Sequence, residues 1–381
     1  MIAKPVRQTV LTSLAAIGAK REAKFYAELF ARQEAERFAL IVIDPRCLKN
    51  PLLESLISSM KLLFDLGLSP ILLVGAMDED RTAVKFQSQR LSRELDQASV
   101  RSTKLNTRTY GLIPDVRAKA RSGRLPILEM TEKGGAMNLV ALVRELDPNK
   151  VIFLQPSGGL VRNGERIRNL DTESLGHWQE SDGVLSDGQK RFLSFVADID
   201  AEDPGYRSYI IASPLNLLPE LFTTKGSGTL IRRKANIISH LDYSNLDEKK
   251  LRCSIEDAFG KTLSTSYFNS DITSAYIEKD YRGGAIFAKA GELTYLSKFW
   301  VVENARGEGL AKDIWDKMTG NTKSFYWRSK LTNPFNDWYM RKCEGMQIVG
   351  EWRVFWLGLK YDQVSIAITQ ATAEAEDFSV V

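Results

Sequence analysis

Residues 295–318, with the sequence YLSKFWVVENARGEGLAKDIWDKM, decide the fold of the second half of the chain. Residues 295–302 are mostly apolar and predict a strand, and apolar residues at helical spacing after residue 310 predict a helix. Between them lies a loop, residues 306–311, that contains two glycines. Glycines at a strand-to-helix turn let backbone N–H groups approach an anion, and the helix N-terminus adds a positive dipole end. The pattern indicates an anion site, with an ordinary glycine-rich loop as the alternative.

A second segment, residues 323–344, places two cations on one face of a strand. Side chains alternate along a strand, so Tyr326, Arg328 and Lys330 share a side. Neighbouring cations repel each other unless an anion lies between them, and an Arg can bind a carboxylate through two parallel hydrogen bonds. This predicts a carboxylate site, with a solvated basic face as the alternative. Asn333, followed by Pro, predicts a helix start with Asn333 as the N-cap.

The first half of the chain alternates strand and helix patterns. Residues 38–43 and 70–75 are apolar runs typical of strands buried on both faces, and residues 52–66 between them have helical spacing. This order predicts a mostly parallel α/β sheet. Further along, Asn163-Gly164 between apolar residues predicts a β-hairpin.

A polar stretch separates this region from an aromatic-rich one. Six of the seven tryptophans follow Lys298, so the second half of the chain differs from the first in amino-acid composition. We therefore expect a first domain over residues 1–235, a linker over residues 236–250 and a second domain over residues 251–381.

Composition excludes several classes of protein. The 381 residues are 44% hydrophobic and 26% charged, which indicates a globular chain. The net charge of +4 is small and spread along the chain, so we expect no nucleic-acid partner. Two histidines and three separated cysteines argue against a metal site and a disulfide framework. No apolar run reaches the roughly 18–20 residues of a membrane span, so we expect no membrane partner.

The sequence resembles the N-acetylglutamate synthases of the vertebrate-like type, which join an amino-acid-kinase-like domain to a C-terminal GNAT acetyltransferase domain. These are related to bifunctional N-acetylglutamate synthase/kinases. The resemblance is strongest in residues 295–299, 306–311 and 325–339, and is also carried by residues 20–23, 37–39, 67–70, 151–154 and 158–160. It implies an amino-acid-kinase-like α/β sandwich with a mostly parallel sheet, followed by a GNAT α+β domain.

The resemblance also implies an activity. An enzyme of this family transfers the acetyl group of acetyl-CoA, its co-substrate, to the α-amine of L-glutamate, which is the first step of arginine biosynthesis. The mechanism we expect is direct attack of the neutral amine on the thioester. Backbone N–H groups around residues 299–301 would stabilise the oxyanion. The sequence does not identify a general base, and a water relay is one option.

Site residues follow from the same resemblance. Three cations are assigned to glutamate: Lys298, Arg328 and Lys330. Lys330 replaces an Arg of some relatives, and its ammonium is a point charge that cannot make the two parallel hydrogen bonds of a guanidinium. Tyr339 is assigned as the acid that protonates the thiolate, with Asn333 beside the acetyl group. From pattern alone, Asn333 is a structural cap and Tyr339 a core aromatic. Acetyl-CoA is assigned to the strand end and the loop: Phe299, Trp300, Val301, Arg306, Gly307, Glu308, Gly309, Leu310 and Ala311.

The first domain departs from its kinase-active relatives. These carry a Lys followed by two glycines after the first strand, whereas this chain has Val42 at the Lys position and Asp44-Pro45 at the glycines. The change removes a phosphate-binding cation and puts a carboxylate where ATP would approach. We therefore expect no kinase activity and a regulatory or assembly role for this domain.

Partners and location are further implications of the resemblance. It places an L-arginine effector site at Lys20, Gly226 and Gly228, and it implies a homo-oligomer, either a tetramer or a dimer, with an acetylglutamate kinase as a further partner. We expect a cytoplasmic protein. The mitochondrial matrix is the alternative, because Lys4 and Arg7 lie among small residues at the start of the sequence.

Three other functions stay open. The first is a bifunctional synthase and acetylglutamate kinase. The second is an arginine-binding regulatory subunit of an acetylglutamate kinase complex. The third is a GNAT enzyme for another amine, because Lys330 stands where an Arg is expected.

Overall fold

The computed structural model describes Glu34 and residues 37–77, 80–131, 138–180, 185–205, 207–222, 227–270, 272–306, 308–374 and 376–378. The chain divides into two compact units, Met1–Arg233 and Lys234–Val381. Lys20, Gly226 and Gly307, which were assigned from the resemblance, lie outside the described residues.

The first unit is built on a large sheet. Its strands are β1 (Leu40–Ile43), β2 (Ile71–Val74), β3 (Ser102–Asn106), β4 (Leu125–Glu129), β5 (Lys150–Leu154), β6 (Val161–Arg162), β7 (Glu165–Arg166), β8 (Asn169–Asp171), β9 (Ser208–Ala212) and β10 (Thr229–Arg232). Eight of them form a sheet in the order β3-β4-β2-β1-β5-β9-β10-β8. Neighbours in this sheet run parallel except β9 and β10.

Helices cover both faces of this sheet. They are α1 (Leu52–Asp65), α2 (Arg81–Gln97), α3 (Leu112–Arg121), α4 (Leu139–Leu146), α5 (Leu175–Glu180), α6 (Asp187–Glu202) and α7 (Leu217–Phe222). Ile41 and Ile43 of β1 pack into a cluster with α1, α2 and α7. Leu40 and Val42 pack into a second cluster with α3, α4 and α6. Because successive side chains of a strand point to opposite faces, the unit is a three-layer sandwich, which confirms the predicted fold.

The predicted hairpin is also present. β6 and β7 pair antiparallel around Asn163 and Gly164, whose φ angles are 53° and 82°. Two central residues with positive φ are typical of the tight hairpin turn that an Asn-Gly pair favours.

The second unit has a sheet of seven strands. They are β11 (Ile237–His240), β12 (Ile272–Glu278), β13 (Gly283–Ala290), β14 (Leu293–Val301), β15 (Phe325–Lys330), β16 (Gly345–Val349) and β17 (Trp352–Leu357), in the order β11-β12-β13-β14-β15-β17-β16. The helices are α8 (Glu248–Phe259), α9 (Leu310–Asn321), α10 (Asn336–Met340) and α11 (Tyr361–Ala373). α9 packs on one face, with Phe287 and Trp327. α8 and α11 pack on the other face, beside Ile286 and Tyr326 respectively.

The structure differs from the expected linker. Residues 237–240 form β11, which pairs antiparallel with β12 and extends the second sheet. The second unit therefore begins at Lys234, well before the expected domain start at residue 251. The polar sequence was misleading because β11 is an edge strand, and edge strands are often polar and only partly buried. Among the described residues, no helix is long and apolar enough to cross a membrane.

Candidate active site

The site lies where two parallel strands separate. In the described ladder, β14 and β15 share one register pair, Tyr295 with Tyr326. β14 continues beside β13 as far as Val301, and β15 continues beside β17 as far as Lys330. Each strand is thus held on its outer side while a gap opens between them toward their carboxyl ends.

The α9 end of the gap carries the predicted anion loop. Gly309 has a φ of 85° and directly precedes the first residue of α9. The backbone N–H groups of Lys312 and Asp313 bond to the Gly309 carbonyl at 3.0 and 3.2 Å, so the helix starts tightly from the loop. A glycine that tolerates a left-handed φ at a helix N-terminus leaves the backbone open to a phosphate group.

Arg306 and Glu308 anchor this loop. The Arg306 guanidinium donates to the carbonyls of Ala258 at 2.7 Å and Val301 at 3.2 Å. Glu308 accepts from Arg282 at 2.7 Å. The guanidinium of Arg306 is therefore used to hold the loop to neighbouring backbone carbonyls, which leaves the backbone N–H groups of the loop as the groups that could meet an anion.

The strand residues assigned to acetyl-CoA differ in what they offer. The Phe299 ring packs at 5.5 Å against Trp338 and 5.7 Å from Trp315, on the α9 face. Trp300 points to the other face, where its indole donates to Ser254 Oγ at 2.8 Å. Leu310, the first residue of α9, is buried in the core, whereas Ala311 is partly exposed. Trp300 and Leu310 could meet acetyl-CoA through backbone atoms, because their side chains belong to the core.

The three predicted cations share the face that carries α11. Lys298 is only 4% exposed, and its ammonium pairs with Asp377 and lies 4.7 Å from the Tyr267 ring centroid. Burial lowers the pKa of Lys298, and the Asp377 carboxylate opposes that effect. A buried ammonium is costly without a counter-ion, so a carboxylate is required at this place.

Arg328 and Lys330 stack on one indole. The Trp352 ring lies 4.2 Å from the Arg328 guanidinium carbon and 5.0 Å from Lys330 Nζ. Arg328 donates to the carbonyls of Ala371 at 2.7 Å and Glu374 at 2.8 Å. Lys330 pairs with Glu376 at 2.7 Å, and this hydrogen bond raises the pKa of Lys330.

Asn333 has a structural role in this conformation. Its Oδ1 accepts from the Phe335 N–H at 2.9 Å and its Nδ2 donates to Ser329 Oγ at 2.7 Å. The helix α10 begins at Asn336, later than the expected start after Asn333. The difference arises because Asn333 closes a short turn to the second residue after it, which precedes the helix. Asn336 fastens the helix to β15 by donating to the Lys330 carbonyl at 2.9 Å.

Tyr339 is buried on the α9 face. Its ring lies 5.7 Å from Trp327, 5.6 Å from Phe355 and 6.4 Å from Phe299. Burial raises the pKa of Tyr339, so the phenol stays protonated at neutral pH. A protonated phenol is the form that a general acid needs.

The sequence reasoning missed three groups near the cations. The Trp352 ring lies against Arg328 and Lys330. Glu376 pairs with Lys330, and Asp377 pairs with Lys298. The acidic run 374–377, EAED, was visible in the sequence. Its placement at the site depends on contacts that span up to 79 positions, which no local pattern reports.

The carboxyl end of β1 was expected to lack a kinase site. Val42 is fully buried in the core, and Asp44 is held by Arg46 through two hydrogen bonds of 2.9 and 2.7 Å. Farther along the sheet, Gly228 donates its N–H to Glu220 at 2.6 Å, and a Cβ at Gly228 would lie 2.2 Å from the Ile211 carbonyl oxygen. Among the described residues, no group of three His, Cys, Asp or Glu side chains could hold a metal ion.

The geometry of the second unit defines it as a GNAT-type N-acetyltransferase domain. A family profile described as "NAT, N-acetyltransferase, of N-acetylglutamate synthase" matches residues 238–374. This match begins inside β11, in agreement with a second unit that includes this strand.

Relatives extend the match to both units. An acetylglutamate kinase of Xanthomonas campestris pv. campestris is 31% identical over 90% of this chain and 95% of its own length. A mitochondrial N-acetylglutamate synthase of Mus musculus is 31% identical over 64% of this chain and 46% of its own length. The chain therefore belongs to the same family as the Xanthomonas acetylglutamate kinase, and its second unit carries the N-acetyltransferase domain of N-acetylglutamate synthase.

Solved structures agree on the fold. An N-acetylglutamate synthase from Neisseria gonorrhoeae, complexed with coenzyme A and N-acetyl-glutamate, superposes with a TM-score of 0.53 at 18% identity, over 88% of this chain and 98% of that one. The same synthase complexed with coenzyme A and L-arginine gives a TM-score of 0.51 at 16% identity, over 88% and 97% of the two chains.

Proposed function

We propose that this protein is an N-acetylglutamate synthase, which transfers the acetyl group of acetyl-CoA to the α-amine of L-glutamate. The observation that carries the proposal is the gap between β14 and β15, with an anion loop on one side and three cations on the other. The loop suits the phosphates of coenzyme A. Lys298, Arg328 and Lys330 suit an acceptor with two carboxylates.

In direct acetyl transfer, the two substrates would approach from opposite faces of the sheet. Acetyl-CoA would enter from the α9 face and glutamate from the α11 face, so that the thioester and the amine meet in the gap. The neutral amine attacks the thioester carbon, and backbone N–H groups of residues 299–301 stabilise the oxyanion. When the C–S bond breaks, the thiolate takes a proton from the Tyr339 phenol. The proton that the amine nitrogen loses as the amide forms returns to the Tyr339 phenolate through water, so the phenol is regenerated. The reaction forms an amide and needs no covalent intermediate on the protein.

Consumption of acetyl-CoA by the purified chain tests this proposal. We expect turnover with L-glutamate and far less with L-aspartate or L-glutamine, because the first shortens the acceptor and the second removes one carboxylate. Equal use of several amines would favour a GNAT enzyme with another acceptor. Binding of acetyl-CoA without turnover would favour the regulatory-subunit alternative.

A bifunctional synthase and kinase is the second candidate, because the Xanthomonas relative is named an acetylglutamate kinase. Two features weigh against kinase activity in this chain. The Val42 side chain is buried in the core, and the Asp44 carboxylate stands at the end of β1 beside Arg46. We propose that ATP-dependent phosphorylation of N-acetylglutamate is absent. Formation of ADP that requires N-acetylglutamate would contradict this.

Regulation by L-arginine is the role we propose for the first unit, with Lys20, Gly226 and Gly228 at the effector site. The Neisseria synthase solved with L-arginine supports the idea. Assays with and without arginine test it, and light scattering tests the proposed tetramer or dimer. Binding to an acetylglutamate kinase can be measured in the same preparation. We propose a cytoplasmic location, with the mitochondrial matrix as the alternative that the mitochondrial mouse relative suggests.

A further inference from the structure

Each of the three cations assigned to glutamate contacts one short stretch of this chain. We call residues 374 and 376–378 the acidic segment; it follows α11 directly. Asp377 pairs with Lys298, Glu376 pairs with Lys330 at 2.7 Å, and the Glu374 carbonyl accepts from Arg328 at 2.8 Å. Two side-chain carboxylates and one carbonyl oxygen therefore already satisfy the pocket in which a dicarboxylate would bind.

Contacts outside the pocket hold the acidic segment in place. The Asp377 carbonyl accepts the Ser264 N–H at 2.8 Å, and Phe378 forms a β-bridge with Leu263. The Phe378 ring lies 4.9 Å from the Phe259 ring and 5.2 Å from Lys298 Nζ. These backbone and aromatic contacts hold the segment at a defined position on the second unit.

Glutamate and Asp377 cannot both pair with the Lys298 ammonium in this arrangement. The Lys298 side chain is 4% exposed and is enclosed by the rings of Tyr267 and Phe378 and by Asp377. A carboxylate of glutamate could reach the ammonium only if Asp377 left. By contrast, Lys330 is 36% exposed and also faces Glu351 at 3.5 Å, so it could accept a ligand with less rearrangement.

We propose that the acidic segment occupies the glutamate subsite and that glutamate binds by displacing it, which makes the segment an intramolecular competitor. This inference rests on the proposed function. A competitor tethered next to its site lowers the fraction of molecules that can bind glutamate, and the apparent KM for glutamate rises by the inverse of that fraction. The segment should leave kcat and the KM for acetyl-CoA unchanged, because the anion loop lies on the other face of the sheet.

Steady-state kinetics of Asp377→Asn test the proposal. The amide cannot pair with Lys298 as a carboxylate does, so we expect the KM for glutamate to fall by about tenfold. We expect kcat and the KM for acetyl-CoA to stay within about twofold. Glu376→Gln should act in the same direction with a smaller effect, because Lys330 keeps Glu351.

Glu351→Gln is the matched control. It also removes a carboxylate that pairs with Lys330, but Glu351 lies in the turn between β16 and β17 and outside the acidic segment. We expect its KM for glutamate to change by less than about twofold. An unchanged or raised KM in Asp377→Asn would overturn the proposal, since a segment that completes the site would weaken glutamate binding when altered.

Hydrogen exchange gives a readout that does not depend on turnover. In the unaltered protein, saturating glutamate should speed exchange of the Ser264 amide, which the Asp377 carbonyl protects, while acetyl-CoA alone should not. If glutamate is turned over but the Ser264 amide stays protected, the displacement mechanism is wrong and the proposed function stands. If glutamate neither reacts nor changes exchange in any variant, the proposed function fails and the inference falls with it.

Discussion

Tyr339 lies among aromatic rings that fix its protonation state. Burial raises the pKa of its phenol above the ordinary value of about 10. The proton is thus present at neutral pH, and ionisation of this group would reduce the rate only at pH values above about 10.

Tyr339→Phe is the corresponding test. We expect kcat to fall by about 10²–10⁴, the usual contribution of a general acid, with little change in the KM for glutamate because the cations lie on the other face. Tyr361→Phe is the control, since Tyr361 is 97% exposed and should leave kcat unchanged. Full kcat in Tyr339→Phe would remove this residue from the mechanism.

At the same scale, the sequence predicts some roles and not others. Arg328 and Lys330 could be placed on one face because strand alternation is a local rule. Asn333 was expected to cap a helix, whereas Asn336 makes the helix-to-strand contact and was not anticipated. The distinction depends on where the turn ends, and helix boundaries are decided by tertiary contacts as much as by the capping residue.

The turn into α9 shows how an element can depend on one backbone angle. Gly309→Ala would place a Cβ on a residue with a φ of 85°, which costs about 1–2 kcal/mol for most residues. We expect a lower Tm and weaker acetyl-CoA binding, because relief of the strain would move the N–H groups of the loop. Calorimetry and acetyl-CoA titration measure both effects.

Gly350→Ala is a fitting comparison for this variant. Gly350 has a φ of 57° in the turn between β16 and β17, and a Cβ added there would meet nothing within 4 Å. It should lose stability without losing acetyl-CoA affinity. If both variants bind acetyl-CoA normally, the loop geometry is not what holds the co-substrate.

Strands and helices could be predicted where apolar residues recur with a clear spacing. β1, β2 and α1 follow directly from apolar runs and helical spacing. The helix α2 was missed because most of its sequence, RTAVKFQSQRLSRELDQ, is polar. Its signal was present in the Asp80 N-cap and in the buried Val84, Leu91 and Leu95, which lie on one stripe.

For the molecule as a whole, the two units have separate cores. The second unit has its own apolar clusters around α9, α8 and α11. We expect the fragment 234–381 to unfold cooperatively and to keep acetyl transfer to glutamate within about tenfold, without a response to arginine. Thermal unfolding and the acetyl-CoA assay measure this.

The stability of the fragment 251–381 should be compared with that of the fragment 234–381. The fragment 251–381 follows the boundary expected from the sequence and lacks β11, so β12 would lose one of its two hydrogen-bonded neighbours and become the edge of the sheet. We expect this shorter fragment to be markedly less stable. Equal stability of the two fragments would mean that β11 contributes little to the second unit.

The acidic segment marks the limit of sequence reasoning at this scale. Its carboxylates reach Lys298 and Lys330 across 79 and 46 positions of the sequence. Local periodicity predicts faces and turns but carries no information about which distant residues meet. A charge run such as residues 374–377 would therefore be assigned to solvent by any local rule.

The gap between β14 and β15 has a consequence for how long the protein survives in a cell. A sheet joined at this place by one described register pair has few bonds across that line, and a co-substrate bound in the proposed gap would supply contacts to both sides. A ligand at about 100 times its dissociation constant stabilises a fold by roughly 2.7 kcal/mol. Degradation by proteases that act on the unfolded chain would then slow when acetyl-CoA is plentiful, so the abundance of the protein would follow the supply of its own donor.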